Sequence, residues 1–106
     1  MGGNGDDTLN GNGGNNVLIG GSGSDFYITN QGSDRITIRF NHINNAVDTV
    51  RFFDPDNDEV RLTGFNNIDV TFTTSSGDSS LLADGEVFIT FENFEANSLS
   101  DFGLEV

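Results

Sequence analysis

The sequence predicts an all-β repeat fold closed at its C-terminal end by a further layer of strands. Three observations carry this prediction. Residues 2–37 repeat in nines, with Leu9, Leu18, Tyr27 and Ile36 at the same place in each unit. Beyond them, short runs such as Arg35-Ile36-Thr37-Ile38-Arg39-Phe40 and Glu86-Val87-Phe88-Ile89-Thr90-Phe91 continue as strand-like stretches. Ten phenylalanines, most of them in the second half, supply the bulk for a core and a cap.

The repeat frame is G-G-x-G-x-D-x-U-x, with U apolar. Copy one is Gly2 to Asn10, copy two Gly11 to Ile19, copy three Gly20 to Ile28 and copy four Thr29 to Thr37. Copies one and three match at every specified position. Copy two carries Asn16 where Asp is expected, and copy four keeps Gly32, Asp34 and Ile36. Glycines let the first six residues turn tightly and aim carbonyls at one point. The Asp adds a hard anionic oxygen, and hard oxygen ligands suit Ca²⁺. The apolar U with its neighbours makes a strand of about three residues with one inward side chain. A flexible Gly/Asn/Ser linker is the alternative, but a linker has no reason to hold four large apolar residues at a strict spacing of nine.

These nonapeptides resemble the RTX family of hemolysin-type calcium-binding repeats, whose frame is the known signature of a calcium-binding parallel β-helix. The resemblance implies a parallel β-roll whose coil is two nonapeptides, so that copy one stacks on copy three and copy two on copy four. Asp7 and Asp25 would then share one ion, with carbonyls near Gly3, Gly5, Gly21 and Gly23 completing it. A second site would pair Asn16 with Asp34, with Asn12, Gly14, Asn30 and Gly32 in its turns. It has one carboxylate instead of two and is expected to bind weakly or not at all.

Composition narrows the function. Seventeen Asp and Glu stand against four Arg and no Lys, giving a net charge of −13. That balance disfavours nucleic acid and anionic membrane as partners, and it opposes compaction until cations neutralise it. There is no cysteine, hence no disulfide or zinc–thiolate site. No apolar run is long enough to cross a membrane as a helix. Met1 directly precedes the repeat frame without the regions of a signal peptide, so the chain is expected to be a piece of a longer protein.

From residue 38 onward the glycine frame stops. Asn41 to Asn45 is a polar loop containing His42, the only histidine, read as a solvated loop residue. Asp48-Thr49-Val50-Arg51-Phe52 and Asp58-Glu59-Val60-Arg61-Leu62 repeat the D-x-φ-x-φ of Asp34 to Ile38, which predicts the coil geometry kept without the calcium turn. Asp54, Asp56 and Asp58 alternate like the start of an EF-hand loop, but Glu59 and Phe65 stand where Gly and Glu are needed, so a turn is expected. Ile68 to Thr73 alternates again, and Thr74 to Asp78 reads as a loop. Asp84-Gly85 is a hairpin signal, or a coil corner in a solenoid. Phe91, Phe94, Leu99 and Phe102 are positioned to cap the last layer, and Ser98 to Asp101 to start a short helical turn.

The region after the repeats resembles the segment that follows them in serralysin-type and related RTX proteins. It does so in Asp48 to Pro55, Asp58 to Phe65, Ile89 to Phe94, and Leu99, Asp101 and Phe102. The resemblance implies an uncleaved signal for type I secretion machinery and a secreted, extracellular, bacterial setting. The chain thus divides into residues 1–37, the calcium repeats, and 38–106, a capping and secretion region continuous with them. A second reading is a calcium-stabilised module for an anionic polysaccharide such as alginate. In it Arg51 and Arg61 would align on one outer face, near Arg35 and Arg39; the plainer account is that these arginines pair with acidic neighbours. No nucleophile elbow, HExxH or other catalytic constellation is present, and no enzymatic activity is expected of this segment.

Overall fold

The structure, a computed structural model, describes residues 5–11, 13–29, 32–39, 47–54, 56–65, 68–98, 102 and 104–105. Within them the chain forms ten strands in two sheets, and none of the described residues is α-helical. The short strands after each glycine turn alternate between the sheets. β1 (Thr8–Asn10), β3 (Phe26–Ile28) and β5 (Asp48–Arg51) lie side by side in one sheet. β2 (Val17–Leu18), β4 (Arg35–Arg39) and β6 (Glu59–Thr63) lie side by side in the other. All of these pairs are parallel.

The all-β expectation holds, but a uniformly parallel roll does not describe both sheets. The first sheet has six strands, ordered β1-β3-β5-β9-β8-β7, and is mixed. Parallel pairing runs as far as β9 (Glu86–Phe91). β8 (Asp78–Ala83) and β7 (Val70–Ser75) then join antiparallel. The reason is local turn chemistry. Ser76 and Gly77 have φ of 55° and 85°, and Asp84 and Gly85 have φ of 50° and 87°. Two consecutive residues with positive φ make the primed turns that match strand twist in a two-residue hairpin. Asp84-Gly85 is therefore a hairpin and not a coil corner, and Ser76-Gly77 makes a second one where a loop was expected. The second sheet is parallel throughout, with β10 (Leu104–Glu105) added beside β6.

Inward side chains form two facing columns. Leu9, Tyr27, Val50 and Phe91 stand in register across the first sheet. Leu18, Ile36 and Val60 do so across the second. Tyr27, Ile36, Val50, Val60 and Phe91 are fully buried, so the apolar U position is the core of every coil. Three of the residues expected to cap the last layer pack together. Phe91, Phe94 and Phe102 are buried, with Phe91–Phe102 ring centroids 5.0 Å apart and Phe94–Phe102 at 5.4 Å. Phe53 joins them 4.9 Å from Phe91. Leu99 and the helical turn expected after Ser98 lie outside the described residues.

The glycine turns stack directly. Gly23 has φ +95°, and a Cβ there would run into the carbonyl of Gly5. Gly32 has φ +89° and is closed against the carbonyl of Gly14 in the same way. Both are thus fixed as glycine by backbone conformation and by space. Gly13 has open space around its missing Cβ and no such conformation. Gly32→Ala should lower unfolding free energy by more than about 2 kcal/mol, whereas Gly13→Ala should be neutral or slightly stabilising. Calcium-saturated denaturant melts of the two variants compare them directly.

Candidate metal centre

The turns are joined by two columns of acidic side chains that start each strand. Asp25 Oδ1 accepts the N–H of Asp7 at 2.9 Å, and Asp48 Oδ1 accepts the N–H of Asp25 at 2.8 Å. In the other column, Asp34 Oδ1 accepts the N–H of Asn16 at 3.0 Å, and Asp58 Oδ1 accepts that of Asp34 at 2.8 Å. The main chain closes each rung. Phe26 N–H donates to Asp7 O, Thr49 N–H to Asp25 O, Arg35 N–H to Asn16 O and Glu59 N–H to Asp34 O, all within 2.8–2.9 Å. A carboxylate at the sixth repeat position therefore clamps the N–H of the residue one coil below. The Asp that opens D-x-φ-x-φ does the same in coils that have lost the glycine frame.

The second carboxylate oxygens separate the coils into two kinds. Oδ2 of Asp7, Asp25 and Asp34 is buried and takes no hydrogen bond. In the third coil both equivalents are satisfied. Tyr27 Oη donates to Asp48 Oδ2 at 3.2 Å, and Asp54 N–H donates to Asp58 Oδ2 at 2.9 Å. Tyr27 Oη in turn accepts the N–H of Gly20 at 3.1 Å. The EF-hand-like alternation closes a turn instead: Asp54 Oδ1 accepts Asp56 N–H at 3.0 Å, and Asp54 Oδ2 accepts the Asn57 side-chain amide at 2.8 Å.

A buried anionic oxygen without a partner costs several kcal/mol unless a cation or donor meets it. Burial raises the pKa of Asp25. The Asp7 N–H offsets part of that, and the charges of Asp7 and Asp6 push it further up. Burial likewise carries Asp48 to about 6, against donation from Asp25 N–H and with the charge of Asp25 adding to the rise. Burial and the nearby Asp48 also raise the Tyr27 phenol, which stays protonated as a donor. The turns of copies one and three thus bring together negative charge that wants a hard cation. Among the described residues no three His, Cys, Asp or Glu side chains form a metal-holding group. A cation between these turns would therefore need main-chain carbonyls besides Asp7 and Asp25. Such a mixed oxygen set fits Ca²⁺.

Of the residues singled out in sequence, the structure brings together Asp7 with Asp25, Asn16 with Asp34, Gly5 with Gly23 and Gly14 with Gly32. Gly21 has φ 85° in the copy-three turn. Gly3, Asn12 and Asn30 lie outside the described residues, as does His42. Sequence reading missed the roles of Tyr27, Asp48 and Asp58 at the end of each column where the second carboxylate oxygen finds a donor within the chain. The repeated D-x-φ-x-φ was the available signal for the two aspartates. Asp6 was also passed over: its carboxylate accepts Ser24 N–H at 2.9 Å, a second clamp between the same turns.

The arginine row does not form. Arg51 lies on β5 in the first sheet and Arg61 on β6 in the second, so alternation between sheets separates them. Arg51 Nε bonds Glu92 at 3.0 Å, with the guanidinium over the Phe26 ring at 4.9 Å. Arg35 pairs with Glu59 at 2.6 Å. Pairing with acidic neighbours accounts for both.

Asp25→Ala removes one carboxylate of the pair and leaves the Asp7 N–H without its acceptor. It should cost about 2–4 kcal/mol of the calcium-dependent stability, read as loss of the melting-temperature rise on adding calcium. In chelator, pH should act through the buried carboxyls of Asp25, Asp58 and above all Asp48. The folded value of Asp48, about 6, exceeds its ordinary 3.8, so the protonated form favours folding. That contribution is complete below about 3.8 and is lost as pH rises through about 6. Metal-free protein should therefore melt higher at pH 5 than at pH 7.5, and Asp48→Asn should reduce the difference.

Residues 1–36 match the family described as RTX calcium-binding nonapeptide repeat, in four copies. No curated protein matches the chain. The matched segment is the one whose turns carry the partnerless carboxylate oxygens, and the match ends at Ile36 in β4. Residues 1–36, about a third of the chain, thus carry the RTX calcium-binding nonapeptide repeat.

Proposed function

We propose that the chain is a calcium-dependent folding module in which Asp7 and Asp25 hold one Ca²⁺ between the stacked turns of copies one and three. Backbone carbonyls of those turns, near Gly3, Gly5, Gly21 and Gly23, supply the remaining oxygens. The carrying observation is the pair of buried, partnerless Oδ2 atoms on Asp7 and Asp25, in turns that the Asp7 N–H bond holds together. Bound calcium supplies the positive charge that this pair lacks. The protein's own part is to set the carboxylates by the N–H ladder, close the turns on glycine and keep Tyr27 beneath them.

The alternation of parallel strands between two sheets over β1 to β6 supports a β-roll for this half of the chain. The mixed strands from β7 onward then act as its cap. Coupling of folding to calcium suits a chain with a net charge of −13. Such a chain stays loose in a cytoplasm poor in calcium and folds where calcium is plentiful. A site filled at about 100 times its Kd adds about 2.7 kcal/mol, a large share of a small domain's stability. We read the module as bacterial, exported by type I secretion through its C-terminal region, and folded outside the cell. We assign it no catalysis of its own. The polysaccharide reading loses its main support with the arginine row.

Calcium titrated into chelator-treated protein, followed by far-ultraviolet circular dichroism, should give a cooperative gain of β signal. Magnesium at equal concentration should not, because it favours a rigid octahedron and retains its waters. A spectrum that is fully β in chelator and unchanged by calcium would remove the folding switch.

A further inference from the structure

The two columns differ at one residue, and the difference changes what holds the turn. Where copy one has Asp7, copy two has Asn16. Its side-chain Nδ2 lies 2.5 Å from Gly11 O, 3.1 Å from Asp34 Oδ1, and 3.4 Å from both Gly13 O and Gly14 O. Four oxygens, three of them main-chain carbonyls of the glycine turn and one a carboxylate from the coil above, thus surround a single nitrogen. That is the kind of donor set a cation would use between the turns of copies one and three, and here a neutral NH₂ group stands in it.

We propose that the Asn16 amide is a built-in substitute for calcium, so that the turn of copies two and four closes without an ion. Two features favour this. The pair Asn16–Asp34 carries one negative charge where Asp7–Asp25 carries two, so a cation has less carboxylate repulsion to relieve there. The amide also has donors for this place: Nδ2 lies within hydrogen-bond reach of Gly11 O and Asp34 Oδ1, and its two N–H groups can serve both. The turn is braced further by Asn15 Oδ1, which accepts Ser33 N–H at 2.9 Å. An open cleft of about 380 Å³, with Asn15, Asn16, Ser33, Asp34 and Asn57 in its lining, adjoins the pair. Asp34 Oδ2, buried and without a partner, remains as the ligand atom that a second carboxylate would recruit into a site. One face of the repeat is thus locked in advance while the other waits for calcium.

The inference rests on the calcium reading of the repeats, and ion counting separates the two. Equilibrium dialysis at millimolar calcium should show one more bound ion per chain in Asn16→Asp than in the wild type, and one fewer in Asp7→Asn. In chelator, Asn16→Asp should melt lower than the wild type and Asp7→Asn higher. Equal ion counts in the wild type and Asn16→Asp would overturn the inference and leave the calcium reading standing. A wild type that binds no calcium would overturn that reading itself. Asn16→Ala guards against a misfolded Asp variant: it should melt several degrees lower than the wild type in chelator, and an unchanged melt would show that the amide braces nothing.

Discussion

The structure depends on one interaction repeated in two columns: an aspartate oxygen that accepts the main-chain N–H of the residue one coil below. It appears as Asp25 to Asp7 and Asp48 to Asp25 on one side, and as Asp34 to Asn16 and Asp58 to Asp34 on the other. This clamp sets the rise of the coil and brings Leu9, Tyr27 and Val50 into register. It also carries a penalty. Each carboxylate has two oxygens and the ladder uses one. What surrounds the other differs from coil to coil.

Three solutions occur along the columns. In the third coil the protein supplies donors from its own chain, the Tyr27 hydroxyl and the Asp54 N–H, and the glycine frame is absent. Between copies one and three the Oδ2 atoms of Asp7 and Asp25 are both buried without a donor, which is the setting for Ca²⁺. Between copies two and four the Asn16 amide braces the turn through Asp34 Oδ1, the oxygen the ladder already uses, and Asp34 Oδ2 stays buried without a partner. The carboxylate oxygens without donors thus lie at the N-terminal side, and the other end is packed with phenylalanine. Aromatic contacts among Phe53, Phe91, Phe94 and Phe102 hold that end together.

Much of this was legible in the sequence. The nine-residue spacing of Leu9, Leu18, Tyr27 and Ile36 foretold the inward positions, and the eighteen-residue pairing of turns followed from the family resemblance. The repeated Asp-led units after residue 37 announced that the coil continues. What could not be read was where each second carboxylate oxygen goes, because that depends on side chains from other coils. Tyr27 reads as one more apolar residue until its hydroxyl is seen reaching Asp48 across 21 residues. The arginine row failed for a related reason. Successive D-x-φ-x-φ units look adjacent in sequence, but the chain deals them to opposite sheets, and Arg51 and Arg61 part company. The Ser76-Gly77 hairpin is a weaker signal than Asp84-Gly85, since Ser is a less common residue at positive φ.

The central claim is that calcium completes the Asp7–Asp25 rung and that the Asn16 amide braces the Asn16–Asp34 rung without it. Amide hydrogen exchange resolves the two, because Asp7 N–H and Asn16 N–H are equivalent donors in the two columns. On moving from calcium to chelator, the account predicts that Asp7 N–H loses protection by at least about tenfold, while Asn16 N–H keeps most of its own. Equal protection of Asp7 N–H in both conditions, or loss at both amides together, would contradict it.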